Sequence, residues 1–336
     1  MKKYVFILIS VFGLVTITKA QSGLEAILQA TVEDANRLSK AYINPAMKGF
    51  IYGMNNGWYH TAKVHKILGF DISIGVNASV VPNKDELFNF ADLGLTSSVT
   101  STSTSAATVA GPNDLRPQIN VTTTINGAPA TATFTMPGGV KDDLPLNAVP
   151  VPQVQFNLGL PAKFEAMVRL VPKVGTDDVK GNLIGLGLKK EITSWFGPVT
   201  KTPLHVSLLA AYTNMNVDYQ IQNSTVSGSN QSTNLELHSF TAQAIASLNF
   251  PIINFYGGFG YSGGNSTFKM LGTYDLEYNG GTLTRSIVDP INQYFNVSGF
   301  RSTIGARISL GFFKLFADYT LQEYNTVGLG IAFGFR

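Results

Sequence analysis

From residue 47 onwards apolar and polar residues alternate along the chain with a period of two, the signature of β-strands whose two faces meet unlike surroundings. The pattern is clearest in Gly69 to Val81: Phe70, Ile72, Ile74, Val76, Ala78 and Val80 share one face, and Asp71, Ser73, Gly75, Asn77 and Ser79 the other. It recurs in Gln153 to Leu160, and again where Phe164, Ala166, Val168 and Leu170 oppose Lys163, Glu165 and Arg169. Ile184, Leu186 and Leu188 oppose Gly185, Gly187 and Lys189; Phe300, Ile304, Ala306 and Ile308 oppose Arg301, Thr303 and Arg307; Val327 to Phe335 closes the series. These runs exceed the five or so residues of an ordinary soluble strand.

Residues 21–46 differ. Ser22 and Glu25 stand at capping-box spacing, and Leu24, Ile27, Leu28, Val32, Ala35 and Leu38 recur at helical intervals opposite Glu25, Glu33, Arg37 and Lys40. This predicts an amphipathic helix, which Asn44-Pro45 should stop because proline lacks an amide donor and biases the residue before it away from helix.

A soluble β-sandwich would also alternate, so the connections decide. Leu160-Pro161-Ala162, Phe250-Pro251-Ile252 and Leu310 to Phe313 are tight, whereas 82–150, 172–181, 219–235 and 263–296 are long and polar. Short turns at one end and long loops at the other predict an all-β fold, an antiparallel transmembrane β-barrel of about 12 to 14 strands with a short N-terminal helical plug. Gln322 to Asn325 is one short loop at the long-loop end. Within 82–150, the Ser/Thr/Ala-rich Thr96 to Val109 reads as a mobile outer loop, followed by a hairpin at Ile119 to Thr135 turning at Asn126-Gly127. The domains expected are a signal peptide (1–20), a helical hatch (21–46) and the barrel (47–336).

Composition narrows the setting. Lys2 and Lys3, the apolar Val5 to Ile17 and the small residues at Thr18 and Ala20 form an export leader, with cleavage expected before Gln21. No cysteine follows it, which excludes a lipoprotein and a disulfide framework. The chain has 24 basic and 21 acidic residues, and the leader holds three of the basic ones, so the processed chain carries 21 of each and is neutral. That removes the electrostatic footprint a nucleic-acid binder needs. Charged residues make up only 13% of the chain, yet beyond the leader Asn, Gly, Pro or charge interrupts every apolar run before the roughly 20 residues of a spanning helix. A closed barrel is then the remaining way to cross a bilayer. The expected location is a bacterial outer membrane, with outer-membrane lipid and the barrel assembly machinery as partners; Phe335, next to last, is the aromatic that such machinery reads.

The strand face opposite the lipid would line the lumen. Asp71, Lys163, Glu165, Arg169, Lys189, Glu191, Arg301, Arg307 and Asp318 are the lumen candidates, as a polar path for solute or as an ion-pair network filling a closed barrel. The four histidines show no metal spacing; His60 and His65 read as bracketing a turn. His205 and Ser207, with Glu191 on the preceding strand, resemble the His-x-Ser of outer-membrane lipid A deacylases, but the spacing is common by chance and no catalytic residue is assigned. Gly257 to Gly264 lacks the lysine of a phosphate loop and reads as a strand bending into a loop. Asp142-Asp143 and Asp177-Asp178 follow no calcium-loop pattern. Trp58, Tyr59, Trp195, Phe196, Phe250, Phe255, Tyr256, Phe312, Phe313 and Tyr324 sit near strand ends, as girdle aromatics would. No metal, cofactor or enzymatic activity is expected.

Ala41-Tyr42-Ile43-Asn44-Pro45-Ala46 resembles the Asn-Pro-Ala segment of long-chain fatty-acid outer-membrane transporters, a family in which an N-terminal hatch plugs a fourteen-stranded barrel. The resemblance implies a plug formed by residues up to Asn44, Pro45 and Ala46, and a lumen that passes hydrophobic molecules. Gly57-Trp58-Tyr59-His60-Thr61-Ala62-Lys63 followed by Gly69-Phe70-Asp71 is similar to outer-membrane proteins of Bacteroidetes with a domain of unknown function. The leading expectation is passage or uptake of a small, hydrophobic cargo through a plugged barrel. The alternative is a non-transporting barrel whose long outer loops bind a partner.

Overall fold

The computed structural model describes residues 23–335 apart from 177, 222, 223 and 225. The leader with its cleavage point, and Ser22 of the expected capping box, lie outside the described residues. Leu24–Gln29 form a 3-10 turn, and helix α1 spans Val32–Met54. Thr31 caps α1 by accepting the Asp34 amide at 3.2 Å, and Glu33 and Asp34 set negative charge against the positive end of the helix dipole.

The expected stop at Asn44-Pro45 does not occur: α1 runs through Pro45 for about two and a half more turns. An interior proline costs about 3 kcal/mol. Beyond it Met47, Phe50, Ile51, Tyr52 and Met54 are buried, and at about 1.5–3 kcal/mol for each large apolar side chain their burial outweighs the break. The plug therefore continues past residue 46, and the first wall strand begins only at Phe70.

Sixteen strands follow in chain order: β1 (Phe70–Val80), β2 (Leu87–Asn89), β3 (Val99–Ser101), β4 (Ser105–Ala107), β5 (Gln118–Ile125), β6 (Ala128–Thr135), β7 (Ala148–Leu160), β8 (Phe164–Gly175), β9 (Val179–Glu191), β10 (Leu204–Gln220), β11 (Ser227–Asn249), β12 (Ile253–Tyr278), β13 (Leu283–Val288), β14 (Ile291–Leu310), β15 (Phe313–Leu321) and β16 (Thr326–Phe335). The main sheet runs β11-β10-β9-β8-β7-β1-β16-β15-β14-β12, and β11 pairs with β12 to close it. First and last wall strands meet at Phe70↔Phe335. No edge is left open in this ring, which is what a bilayer demands of a sheet.

Ten of the strands close the ring and β13 only prolongs it beside β12, so the expected twelve to fourteen falls between the wall count and the total. The difference lies in the connections. Most of 219–235 and 263–296, expected as loops, is strand: β10 reaches Gln220, β11 starts at Ser227, β12 reaches Tyr278 and β14 starts at Ile291. There the alternation reverses: Phe268, Met270, Tyr274 and Leu276 of β12 face inward into the buried core while Lys269, Asp275 and Glu277 face out, so the apolar-outside signal is lost although the ladder continues.

Along the wall the usual arrangement is inverted. Ile72, Leu170, Ile184, Leu186, Phe300 and Ile304 face outward and are exposed, while Asp71, Asn77, Arg169, Ser207 and Arg301 face inward and are buried. An apolar outside around a polar inside is the pattern of a membrane-spanning barrel. Trp195, Phe196, Phe250 and Phe312 are exposed near the turn end, as a girdle would be. That end has the tight connections at Pro161–Lys163 and Gly311-Phe312, and one longer one through Thr193–Lys201.

At the opposite, loop end, the segment between β1 and β7 is folded. Thr96 to Val109, expected as mobile, contributes β3 and β4 to small sheets β3-β5-β6 and β2-β4. Asn126 and Gly127 form the β5–β6 turn with positive φ of 51° and 84°, the geometry that favours Asn-Gly in a hairpin. Ile119, Val121, Phe134 and Met136 from these sheets share one buried core with Leu24, Ile27, Leu38 and Tyr42. Loop and plug are thus one packed unit over the barrel mouth.

Candidate functional site

The chain enters the lumen from the loop end and leaves at the turn end. At the mouth the Tyr278 hydroxyl donates to the Gln29 carbonyl at 3.1 Å, and Asp34 accepts from the Thr96 amide at 2.9 Å. One level deeper, Glu323 in the β15–β16 loop receives Lys48 Nζ at 2.8 Å and the Tyr52 hydroxyl at 2.9 Å. Burial would raise the Glu323 carboxyl, but these two donors and the nearby Lys84 outweigh it and hold it below the ordinary carboxylate range.

α1 ends in mid-lumen, where the last carbonyls of a helix lack intrahelical partners. Two wall arginines, each about 1% exposed, supply them. Arg169 donates to the Met54 carbonyl at 2.9 Å, the Asn56 carbonyl at 2.7 Å and Gln155 Oε1 at 2.8 Å. Its guanidinium also lies 3.9 Å from the centre of the Trp58 ring. Arg301 donates to the Asn55 carbonyl at 2.7 Å and to Asn56 Oδ1. Cations at the negative end of a helix dipole are favourable, and guanidinium is the group that can serve several carbonyls at once. Asp318 balances them, accepting from Asn56 Nδ2 at 2.8 Å and the Tyr256 hydroxyl at 3.2 Å.

The chain then turns at Gly57, whose φ of +69° and closeness to Gln153 leave no room for a side chain. Trp58 lies flat on β9: a Cβ on Gly187 would stand 2.9 Å from its ring. Residues 61–65 have no ladder of their own, and wall side chains satisfy their backbone instead. The Ala62 amide donates to Ser247 Oγ at 2.9 Å, the Val64 amide to Glu191 at 3.2 Å and the His65 amide to Glu165 at 3.0 Å, while the Ser207 hydroxyl donates to the Ala62 carbonyl.

Both histidines of the plug meet Asp71. Arg307 donates to His60 Nδ1 at 2.9 Å, which leaves Nε2 to carry the proton toward Asp71, 3.3 Å away. His65 faces a carboxylate from each nitrogen, Glu165 at 2.8 Å and Asp71 at 3.3 Å, an arrangement a doubly protonated imidazolium satisfies. Lys189 pairs with Glu165 at 2.6 Å and Lys314 with Asp71 at 3.3 Å.

Eight of the nine lumen candidates, Asp71, Glu165, Arg169, Lys189, Glu191, Arg301, Arg307 and Asp318, face the interior and are buried. Lys163 does not: it ends the β7–β8 turn with its side chain 55% exposed, reaching Glu191 only at 3.5 Å. Asn44, Pro45 and Ala46 lie within α1 rather than at its end. Trp58 and Tyr59, expected in the girdle, are plug residues buried in the lumen, and Tyr256 and Tyr324 are buried too. His60 and His65, expected to bracket a turn, bind the wall. Gly258 and Gly264 do not bend a strand into a loop; they leave space for Tyr59 and Ile51. His205 meets Glu191 at 3.0 Å as the sequence spacing suggested, but Ser207 is fully buried with its hydroxyl engaged by the plug. Sequence reading missed Asn55, Asn56, Thr61 and Lys314. Their signal was the number of inward polar residues, each of which needs a partner that a ring of strands alone does not provide.

A family model described as Family of unknown function (DUF6588) matches residues 1–335. No curated protein matches the chain. Among solved structures, the attachment invasion locus protein Ail of Yersinia pestis is 8% identical, covering 80% of this chain and 100% of Ail with a TM-score of 0.28. The translocator domain of the autotransporter NalP from Neisseria meningitidis is 9% identical, covering 81% and 90%, at 0.29. A mutant porin of Rh. blastica is 10% identical, covering 80% and 99%, at 0.16. The barrel stands on its own strand pairing. Nothing here supports the resemblance to fatty-acid transporters, from which ten wall strands and a helix continuing through Asn44-Pro45-Ala46 also depart.

Proposed function

The chain belongs to the family of unknown function whose model it matches, and from that premise we propose that it is a sealed outer-membrane barrel presenting a folded platform to a partner at the cell surface. One observation carries the reading: residues 32–65 occupy the lumen from mouth to base, and buried wall residues bind that segment level by level. Displacing it would strip Arg169 and Arg301 of the plug carbonyls they serve and take His60 and His65 from Asp71 and Glu165, and buried charges that lose partners are costly. Short turns belong to the periplasmic side of outer-membrane barrels and long loops to the outside, which puts the 3-10 turn, β2 to β6 and the ends of β10 to β14 on the outer face. Insertion by the barrel assembly machinery after removal of residues 1–20 is part of the same proposal.

Passage of a small hydrophobic solute is the second reading. A small apolar cleft, open to solvent, lies between α1 and the outer loop, lined by Ala46, Phe50, Val109, Val140, Leu144 and Val149.

Photo-crosslinkers at the exposed Leu87 and Leu146 on intact cells are expected to capture a partner. Replacing residues 83–146 with a short flexible linker should abolish co-purification of that partner with the barrel and leave solute permeability unchanged. A permeability change without any captured partner would overturn the platform and favour the second reading.

A further inference from the structure

Exposed carboxylates are confined to one end of the barrel. Among the described acidic residues, Asp71, Glu165, Glu191 and Asp318 are buried in the lumen, and all others lie in α1, the turn before it, or the loops and the loop-end halves of the strands. The turn end therefore exposes no carboxylate among the described residues. It exposes Lys63, Lys66 and Lys163, with Lys190 half-buried.

These four lysines fall in one sector, at the base of β7, β8 and β9. The Lys66 carbonyl packs against Gly159 near the end of β7, and Lys163 closes the β7–β8 turn. Lys190 bonds the Ala162 carbonyl and lies over the Phe164 ring. Lys63 precedes Val64, whose amide is held by Glu191 at the end of β9. Exposed Ile67 and Leu68 follow Lys66 directly, and exposed Trp195 and Phe196 lie in the connection that follows Lys190 and Glu191.

We propose that this sector binds the phosphate headgroups of anionic glycerophospholipids in the leaflet at the turn end. Aromatic and apolar side chains at this level of a barrel sit at the boundary between acyl chains and headgroups. Ammonium groups beside them reach the plane of the lipid phosphates, and each contributes attraction to an anionic leaflet. A soluble polyanion would meet the same lysines, but the exposed Ile67, Leu68, Trp195 and Phe196 favour a partner that offers apolar chains as well as phosphate.

The test is competitive lipid retention. The full chain is reconstituted in bilayers of phosphatidylethanolamine and phosphatidylglycerol in equal parts, extracted in detergent, and its bound lipids counted by native mass spectrometry. Wild type is expected to retain phosphatidylglycerol in excess of its share. The triple variant Lys63→Gln, Lys66→Gln, Lys163→Gln should lose that excess, at about fivefold in relative affinity for each lysine removed. The control triple Lys84→Gln, Lys173→Gln, Lys180→Gln at the loop end should keep it. Retention in the proportions of the bilayer by wild type, or equal loss in both triples, overturns the proposal. Should the triple fail to insert, Lys66→Gln alone is read in the same way: a reduced excess supports the site and an unchanged one overturns it.

Discussion

Arg169 shows how one side chain can decide whether a lumen is open. Its guanidinium has no carboxylate within bonding distance among the described residues and is held by two plug carbonyls, a wall amide and the face of Trp58. Arg169→Leu removes the donors, leaving the Met54 carbonyl buried without a partner and the Asn56 carbonyl with only Asn77 Nδ2 at 3.4 Å, at a cost of about 2–4 kcal/mol. The apparent melting temperature in detergent should fall by about 5 °C or more, accompanied by a shift in Trp58 fluorescence read in a Trp195→Phe background. An unchanged melting temperature and spectrum would mean that the arginine does not hold the plug. That Arg169 and Arg301 face inward was legible from alternation alone. That they bind the end of a helix was not, because the sequence places that helix end at Pro45, ten residues before the carbonyls they serve.

At the scale of elements, local rules worked where one environment acted on the residue and failed where two competed. The alternation in β1, β8 and β14 identified both faces correctly, since lipid on one side and packed polar groups on the other impose it at every position. Pro45 misled because the lumen buries the residues beyond it, and β11 and β12 were read short because their outer halves turn a polar face to water and pack Leu237, Phe268 and Met270 inward, the reverse of their lipid-spanning halves. The same helix supplies a pH dependence. Glu323 ties Lys48 and Tyr52 to the β15–β16 loop, and its carboxyl is depressed in the folded chain. Its contribution to stability is therefore fully present above the unfolded value of about 4.3 and is lost as pH falls through the lower, folded value. Amide exchange in Lys48 to Met54, corrected for its intrinsic pH dependence, should accelerate on acidification below about pH 4 in wild type and show no such step in Glu323→Gln. Identical profiles would remove Glu323 from the anchor.

For the whole molecule the question is whether a ring of ten strands with a charged interior is a conduit or a socket. Alternation and the contrast of tight and long connections made the barrel legible in the sequence. Its contents were not, because Asn55 to His65 carries no periodic signal and takes its conformation from wall residues far away in the chain, Ser247 and Arg301 among them. Single-channel recording of the purified full chain in planar bilayers tests the sealed lumen most directly, with a variant lacking residues 31–64 as the control for a vacated barrel. The full chain should give no stepwise current and the vacated barrel, once inserted, should conduct. A steady open-state current through the unmodified chain would contradict the account.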